Sequence, residues 1–228
     1  MKLYLLSLIL ILSSCKQYVP PGAIASSTKS TTSLATSRCD SKNVVFALQE
    51  ASSVAWSVAQ IDTNAKGPLS SKNPASGQIS LVKGQLNQAK GLITFNIGST
   101  STGDPIRDRL LQEVLFGMST LNPFRVNINR LIGSSTSVAT GATVTMQADG
   151  TLELGGRKSS LLFPISITES GGIYLLKGTI VVNARDTRPA LNTISLNDKF
   201  QTIETTLNSK LGSTLTLTFD LHMKNTCT

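Results

Sequence analysis

Over residues 214–223 the apolar side chains Leu215, Leu217, Phe219, Leu221 and Met223 alternate without a break with Thr214, Thr216, Thr218, Asp220 and His222. Successive side chains leave a pleated strand on opposite sides, so a period of two is the mark of a strand with one buried and one wet face. The same period recurs along the chain. Val54, Trp56 and Val58 show it, as do Ile93, Phe95 and Ile97, then Phe124, Val126 and Ile128, then Leu161, Phe163, Ile165 and Ile167. Residues 44–48, 79–86, 143–148, 151–154 and 173–184 add further strands. Eight or nine strands with short connections and one apolar face each suit an all-β, antiparallel sheet that curls and closes, since closure removes exposed edges. A two-sheet sandwich alternates in the same way.

The connections carry their own signals. Asp149 and Gly150 between two short strands read as a hairpin turn, and Gly171 and Gly172 as a second one. Pro164 inside an otherwise regular strand points to an edge, a bulge or a barrel rim. Residues 62–77, with two prolines and two glycines, read as a loop, and so do 133–140.

Two helices are expected. Asp104 supplies an N-cap oxygen and Pro105 a first helical residue without a wasted N–H. Ile106, Leu110, Leu111, Val114, Leu115 and Met118 then follow on an apolar face, with Arg107, Asp108, Arg109, Gln112 and Glu113 opposite. Arg107 sits unfavourably near the positive end of the helix dipole, which calls for a fixed carboxylate or carbonyl partner; the plain alternative is a solvated arginine. Over 195–211, Leu196, Phe200, Ile203, Leu207 and Leu211 fall on one helical face, and Gly212 reads as the C-cap.

The N-terminus has Lys2, an apolar run over 3–12, and small residues up to Cys15, as an export signal does. Residues 12–15, LSSC, resemble the site at which bacterial lipoproteins are cut before a cysteine that is then acylated. The organisation expected is a lipoprotein signal peptide over 1–14, an acylated Cys15 with a Ser/Thr-rich tether over 15–38, and a folded domain over 39–228. A lysine after Cys15, by resemblance to enterobacterial lipoproteins, implies the outer membrane, facing periplasm or exterior. Export makes a Cys39–Cys227 disulfide the default for the two other cysteines, worth at most about 5 kcal/mol by loop entropy. Such a bridge brings the first and last strands together, which favours the barrel over the sandwich.

The 21 Lys and Arg against 13 Asp and Glu give a charge of +8, yet the cations are scattered, with no run of four and no interleaved aromatics. That excludes a nucleic-acid partner and is compatible with an anionic membrane surface. His222, the single histidine, lies on the wet face of its strand without a second histidine to share a metal. No Gly-x-Ser-x-Gly or paired-carboxylate arrangement stands out, so no catalytic residue, no metal site and no enzyme activity are expected. At 5% aromatic residues the chain lacks the girdles of a transmembrane barrel.

An eight-stranded barrel is just wide enough to be filled by side chains or to hold one slender ligand. The residues expected to line it are Trp56, Ile93, Phe95, Ile97, Phe124, Val126, Ile128, Leu161, Phe163, Ile165, Leu217 and Phe219. Three stretches then resemble the YceI-like, polyisoprenoid-binding family. They are the block over 91–124, GLITFNIGSTSTGDPIRDRLLQEVLFGMSTLNPF, with its Arg107-Asp108 pair; TLELGGRKSSLLFPISI over 151–167; and the strand over 180–186. The family's early His-Ser pattern is absent from 51–56, Leu110 stands near the place of its helix histidine, and its later arginine is displaced to Arg185. The resemblance implies an antiparallel eight-stranded lipocalin-like closed barrel with two short helices. It also implies a lumen holding a polyisoprenoid or isoprenoid quinone, with no other cofactor, for transport, storage or sequestration. The alternatives are a structural or interaction lipoprotein with a filled, ligand-free barrel and, in third place, an enzyme acting on lipid.

Overall fold

From the second strand onward each strand pairs with the next one in the chain, and all the strand pairs are antiparallel. The computed structural model describes residues 43–61, 69–118, 124–188 and 190–227; the signal and tether, with Cys15 and Cys39, lie outside them. Nine strands form one sheet: β1 (Asn43–Leu48), β2 (Ser53–Gln60), β3 (Leu69–Val82), β4 (Ala89–Phe95), β5 (Arg125–Ile132), β6 (Thr143–Leu154), β7 (Arg157–Ser170), β8 (Ile173–Asn183) and β9 (Leu211–Asn225).

β1 and β2 occupy a single position in the wall, because both lie between β3 and β9. The residues between them break the ladder, and Ser52 repairs it: its Oγ donates to the His222 carbonyl and accepts from the His222 N–H, each at 3.0 Å. The ring therefore has eight positions. It closes between β9 and the β1/β2 pair, with Leu48 opposite Met223 and Trp56 opposite Leu217. This is the closed antiparallel barrel that was expected over the sandwich.

The two ends of the barrel differ. One, here the terminal end, carries the start of β1, the end of β9 and the β3–β4 and β7–β8 turns; the other, the helical end, carries α1 (Pro105–Leu110) after β4 and α2 (Asn197–Leu207) after β8.

Several local expectations need correcting. Residues 69–77 are strand, not loop: β3 starts at Leu69 and runs through Pro74 and Gly77, because its inward positions Leu69, Asn73 and Ala75 are buried against the interior. It ends at Val82 rather than residue 86. Asp149 and Gly150 make no turn. β6 passes straight through them and pairs with β7 over twelve positions, and the turn falls at Gly155 and Gly156, whose φ values of 55° and 80° suit glycine. Gly150 serves a close approach instead, since a Cβ there would lie 2.3 Å from the Asn127 carbonyl oxygen where β5 bulges. Ile97 lies in a short 3-10 turn, Ile97–Ser99, past the end of β4. α2 stops at Leu207, with Asn208 at φ 48° as its left-handed cap, and Gly212 belongs to β9.

Pro164 marks a local edge: β7 pairs with β8 only from Ile165 onward. Ahead of it, Asn192 stands in for a strand. Its side chain accepts from Leu162 N–H and donates to the Leu162 carbonyl, both at 2.9 Å, and its own N–H donates to Ser160.

Candidate functional site in the barrel interior

Six aromatic rings cross the middle of the barrel in an unbroken row. Trp56 meets Phe116 edge-on at 5.1 Å, Phe116 stacks on Phe124 at 5.4 Å, and Phe124 meets Phe95 at 4.3 Å; Phe95 then reaches Phe219 at 6.0 Å, which stacks on Phe163 at 5.8 Å. These separations are those of favourable aromatic pairs. Five of the six rings come from the expected lumen set. Ile93, Val126, Ile128, Leu161, Ile165 and Leu217 pack in the same core, each at most 3% exposed, and Ile97 is buried at 9%.

Phe116 is the member that sequence reasoning missed. It follows a π-turn, Leu111–Leu115, and its N–H reaches back five residues to the Leu111 carbonyl at 3.1 Å. The wider turn rotates the helix faces, so that Arg107, Leu111 and Leu115 are buried while Ile106 and Met118 are 77% and 54% exposed. Arg107 and Ile106 have thus exchanged the sides that helical spacing gives them.

Between the aromatic row and the terminal end lies an apolar void of about 20 Å³, room for one water molecule. Phe46, Ile79, Leu81, Leu86, Ala89, Ile128, Leu131, Ile167, Tyr174, Leu176 and Met223 line it. Of the twelve expected lumen residues, Ile128 alone is among these. The others lie deeper, because alternation tells which face of a strand is inward but not how far along the barrel packing becomes loose. Leu86 covers the void from a single 3-10 turn, Leu86–Gln88, tied to the opposite loop by Leu86 N–H donating to the Thr136 carbonyl at 2.9 Å.

The helical end is closed far more firmly. Buried Asn73 accepts from the Trp56 indole N–H at 3.0 Å and donates to the Asn96 carbonyl at 2.8 Å and to the Ser99 and Thr100 hydroxyls at 3.1 Å. Asp104 caps α1 by accepting from the Ile106 and Arg107 N–H groups. Arg107, 6% exposed, finds its carbonyl partner in Thr102: Nε donates to Oγ1 at 2.8 Å and Nη2 to the backbone oxygen at 2.7 Å. Asp108 takes the Thr102 N–H at 2.6 Å. The Arg-Asp pair is therefore a clamp on the loop before α1. Arg185 holds α2 through Asn197, Glu204 and the Leu211 carbonyl, with Phe200 under its guanidinium at 5.2 Å. Lys199 Nζ donates to the Val114 carbonyl at 2.8 Å and joins α2 to the π-turn; burial pushes its ammonium pKa down.

Several charged groups on the outer wall are paired. Glu153, 8% exposed, lies between Arg125, which donates through Nε and Nη2, and Lys158 at 2.9 Å. Burial pushes its carboxyl pKa up, but the hydrogen bonds and charges of Lys158 and Arg125 outweigh that and hold it below the ordinary glutamate range. His222 faces outward beside Asp220, whose Oδ1 lies 3.6 Å from its ring and 3.8 Å from Lys177. The Ser52 hydroxyl meets the backbone of His222 rather than its ring, so these residues form no nucleophile and base pair. Among the described residues, no three His, Cys, Asp or Glu side chains gather as metal ligands, and no helix is long and apolar enough to cross a membrane.

No family model matches the sequence, and no curated protein matches it. Solved structures do match. A polyisoprenoid-binding domain from Saccharophagus degradans, described as implicated in plant cell wall breakdown, superposes with a TM-score of 0.60 at 14% identity, over 79% of this chain and 98% of that one. BcnA from Burkholderia cenocepacia superposes with a TM-score of 0.54 at 12% identity, over 77% of this chain and 98% of that one. The YceI-like resemblance read from the block over 91–124 thus holds for the fold, and the chain shares the lipocalin-like barrel of these two proteins.

Proposed function

We propose that the protein is an exported lipoprotein, anchored through an acylated Cys15, whose barrel takes one long apolar chain of polyisoprenoid type into its lumen for transport, storage or sequestration. The observation that carries this reading is the apolar void under Leu86, closed by one short turn while the helical end is held by a polar network. The name of the Saccharophagus domain gives the ligand class. A prenyl chain is far larger than one water, so uptake displaces the Leu86 turn and spreads the side chains around it. Burial of each methylene contributes about 0.8 kcal/mol toward that opening.

The first described strand, β1, starts at the same end. A Cys39–Cys227 bridge fits the same geometry: Cys227 follows β9, its sulfur accepts from Val45 N–H at 3.3 Å, and Cys39 lies four residues ahead of Asn43. The bridge would lock the two strands at which the barrel closes. The protein on this reading is a binding protein with no catalytic residue.

A second reading, a structural or interaction lipoprotein with a filled barrel, draws on the aromatic row that closes the middle of the lumen. Mass spectrometry of an organic-solvent extract of the full chain, purified from membranes, separates the two. A stoichiometric prenyl lipid is the result expected for a carrier. An empty extract, with no uptake of added isoprenoid quinone, assigns the protein to the filled-barrel class.

A further inference from the structure

The connections at the terminal end, residues 83–88, 133–142 and 171–172, contain no aspartate or glutamate, and Lys83 is their one charge. Two more lysines flank them: Lys90 near the start of β4, and Lys224 near the end of β9, where it stands opposite Ile173. All three are exposed, and none forms an ion pair with another described residue. The acids of this half are engaged or set back along the wall. Glu169 is buried beneath the β7–β8 turn, where its carboxyl accepts from Gly172 N–H; Asp149 pairs with Arg130; Glu50 lies in the break between β1 and β2. Beside the lysines, two large apolar side chains face solvent: Ile132, the last residue of β5, is 43% exposed, and Ile173, the first of β8, is 37% exposed. Leu131, the neighbour of Ile132, turns the other way into the void. The helical end also exposes apolar residues, Ile106 and Met118. There, however, the connections over 96–124 and 184–210 hold six Asp and Glu against six Lys and Arg. Exposed apolar surface therefore does not distinguish the two ends, and the charge beside it does.

We propose that the terminal end is a docking face for an anionic lipid bilayer: Lys83, Lys90 and Lys224 meet the head groups while Ile132 and Ile173 enter the interface between head groups and acyl chains. A lysine near an anionic leaflet gains roughly fivefold in partition, and apolar side chains set among cations bury into the head-group boundary. The two contributions reinforce each other only where both kinds of residue share a surface free of exposed acids, and the terminal end meets that condition. Docking does not depend on a bound chain. Taken with the lumen reading above, it brings the void under Leu86 against the bilayer, which is the reservoir an apolar chain would leave or enter.

The test uses the purified full chain with vesicles of chain-brominated phosphatidylcholine, alone or mixed with an equal share of phosphatidylglycerol. Ile173→Trp and Ile106→Trp each place a fluorophore at one end of the barrel, while native Trp56 is buried and common to both. Bromine should quench Ile173→Trp on the mixed vesicles and leave Ile106→Trp unquenched. Salt at about 1 M should abolish the quenching, because it shortens the screening length to about 3 Å. Adding Lys83→Gln and Lys224→Gln to Ile173→Trp should lower the ratio of docked to free domain roughly twenty-five-fold. Amide hydrogen exchange of the unaltered chain needs no variant to fold: residues 83–88 and 171–173 should slow on the mixed vesicles and 104–110 should not. Quenching that is absent, equal at the two ends or unchanged on phosphatidylcholine alone overturns the proposal, as does slowing confined to 104–110. Neither assay contains a prenyl chain, so a negative result leaves the lumen reading standing, and an empty lipid extract leaves the docking face standing.

Discussion

Thr102 is gripped from two sides, by the Arg107 guanidinium on its backbone and side-chain oxygens and by Asp108 on its N–H. Arg107→Ala leaves the Thr102 carbonyl short of a charged donor, and should lower stability by about 1–3 kcal/mol in a denaturant titration. Prenyl-chain uptake should be unchanged, because Arg107 lies at the end away from the void; loss of uptake without loss of stability would make it a ligand contact instead. Gly150→Ala tests a different kind of constraint. Its Cβ would sit 2.3 Å from the Asn127 carbonyl oxygen, so the strands must part, at a cost of about 1–3 kcal/mol in the same titration. Gly150 was visible in the sequence with the wrong meaning, and Arg107 with the right kind of partner but on the wrong side of its helix. Asp149-Gly150 has the composition of a hairpin turn, and only the bulge in β5 opposite explains why a glycine is needed in mid-strand. Arg107 stands on the polar side of an ideal helix, and only the π-turn brings it inward.

At the scale of elements, the wall is fastened from outside by charge and, at the slit ahead of Pro164, by an asparagine. Glu153 ties β6 to Arg125 on β5 and Lys158 on β7. Its folded pKa lies below the unfolded one, so its contribution is fully present above the ordinary glutamate value and is lost as pH falls through the depressed one. Glu153→Gln should therefore flatten the acid side of the stability–pH curve, followed by thermal melts between neutral and acid pH. An unchanged acid limb would show that the triad contributes nothing. Asn192→Ala removes both side-chain bonds to Leu162, and amide hydrogen exchange at Leu162 should quicken while the β6–β7 ladder stays protected. The strands were legible wherever apolar and polar residues alternate. β3 was legible only from Ile79, because its earlier inward positions include Asn73, whose burial depends on the loop folded over it.

The described domain is a ring of eight positions with one firm end and one loose end. Strand number and alternation left a barrel and a sandwich both open, and the expected Cys39–Cys227 bridge tilted the reading to the barrel, whereas the difference between the ends was not legible at all. It arises from Asn73, Arg107, Arg185 and Lys199, which are far apart in sequence and meet only over the helical mouth. Charge and cysteine content gave no guide to where the interior is incompletely packed. On the function proposed, the chain enters under Leu86, and methyl NMR of the full chain during titration with a C15 prenyl alcohol reads this directly. The methyl signals of Leu86, Leu131, Leu176 and Met223 around the void should shift first and farthest. Shifts confined to Ile97, Leu111 and Leu115 at the helical end, or no shifts at saturating chain, would contradict it.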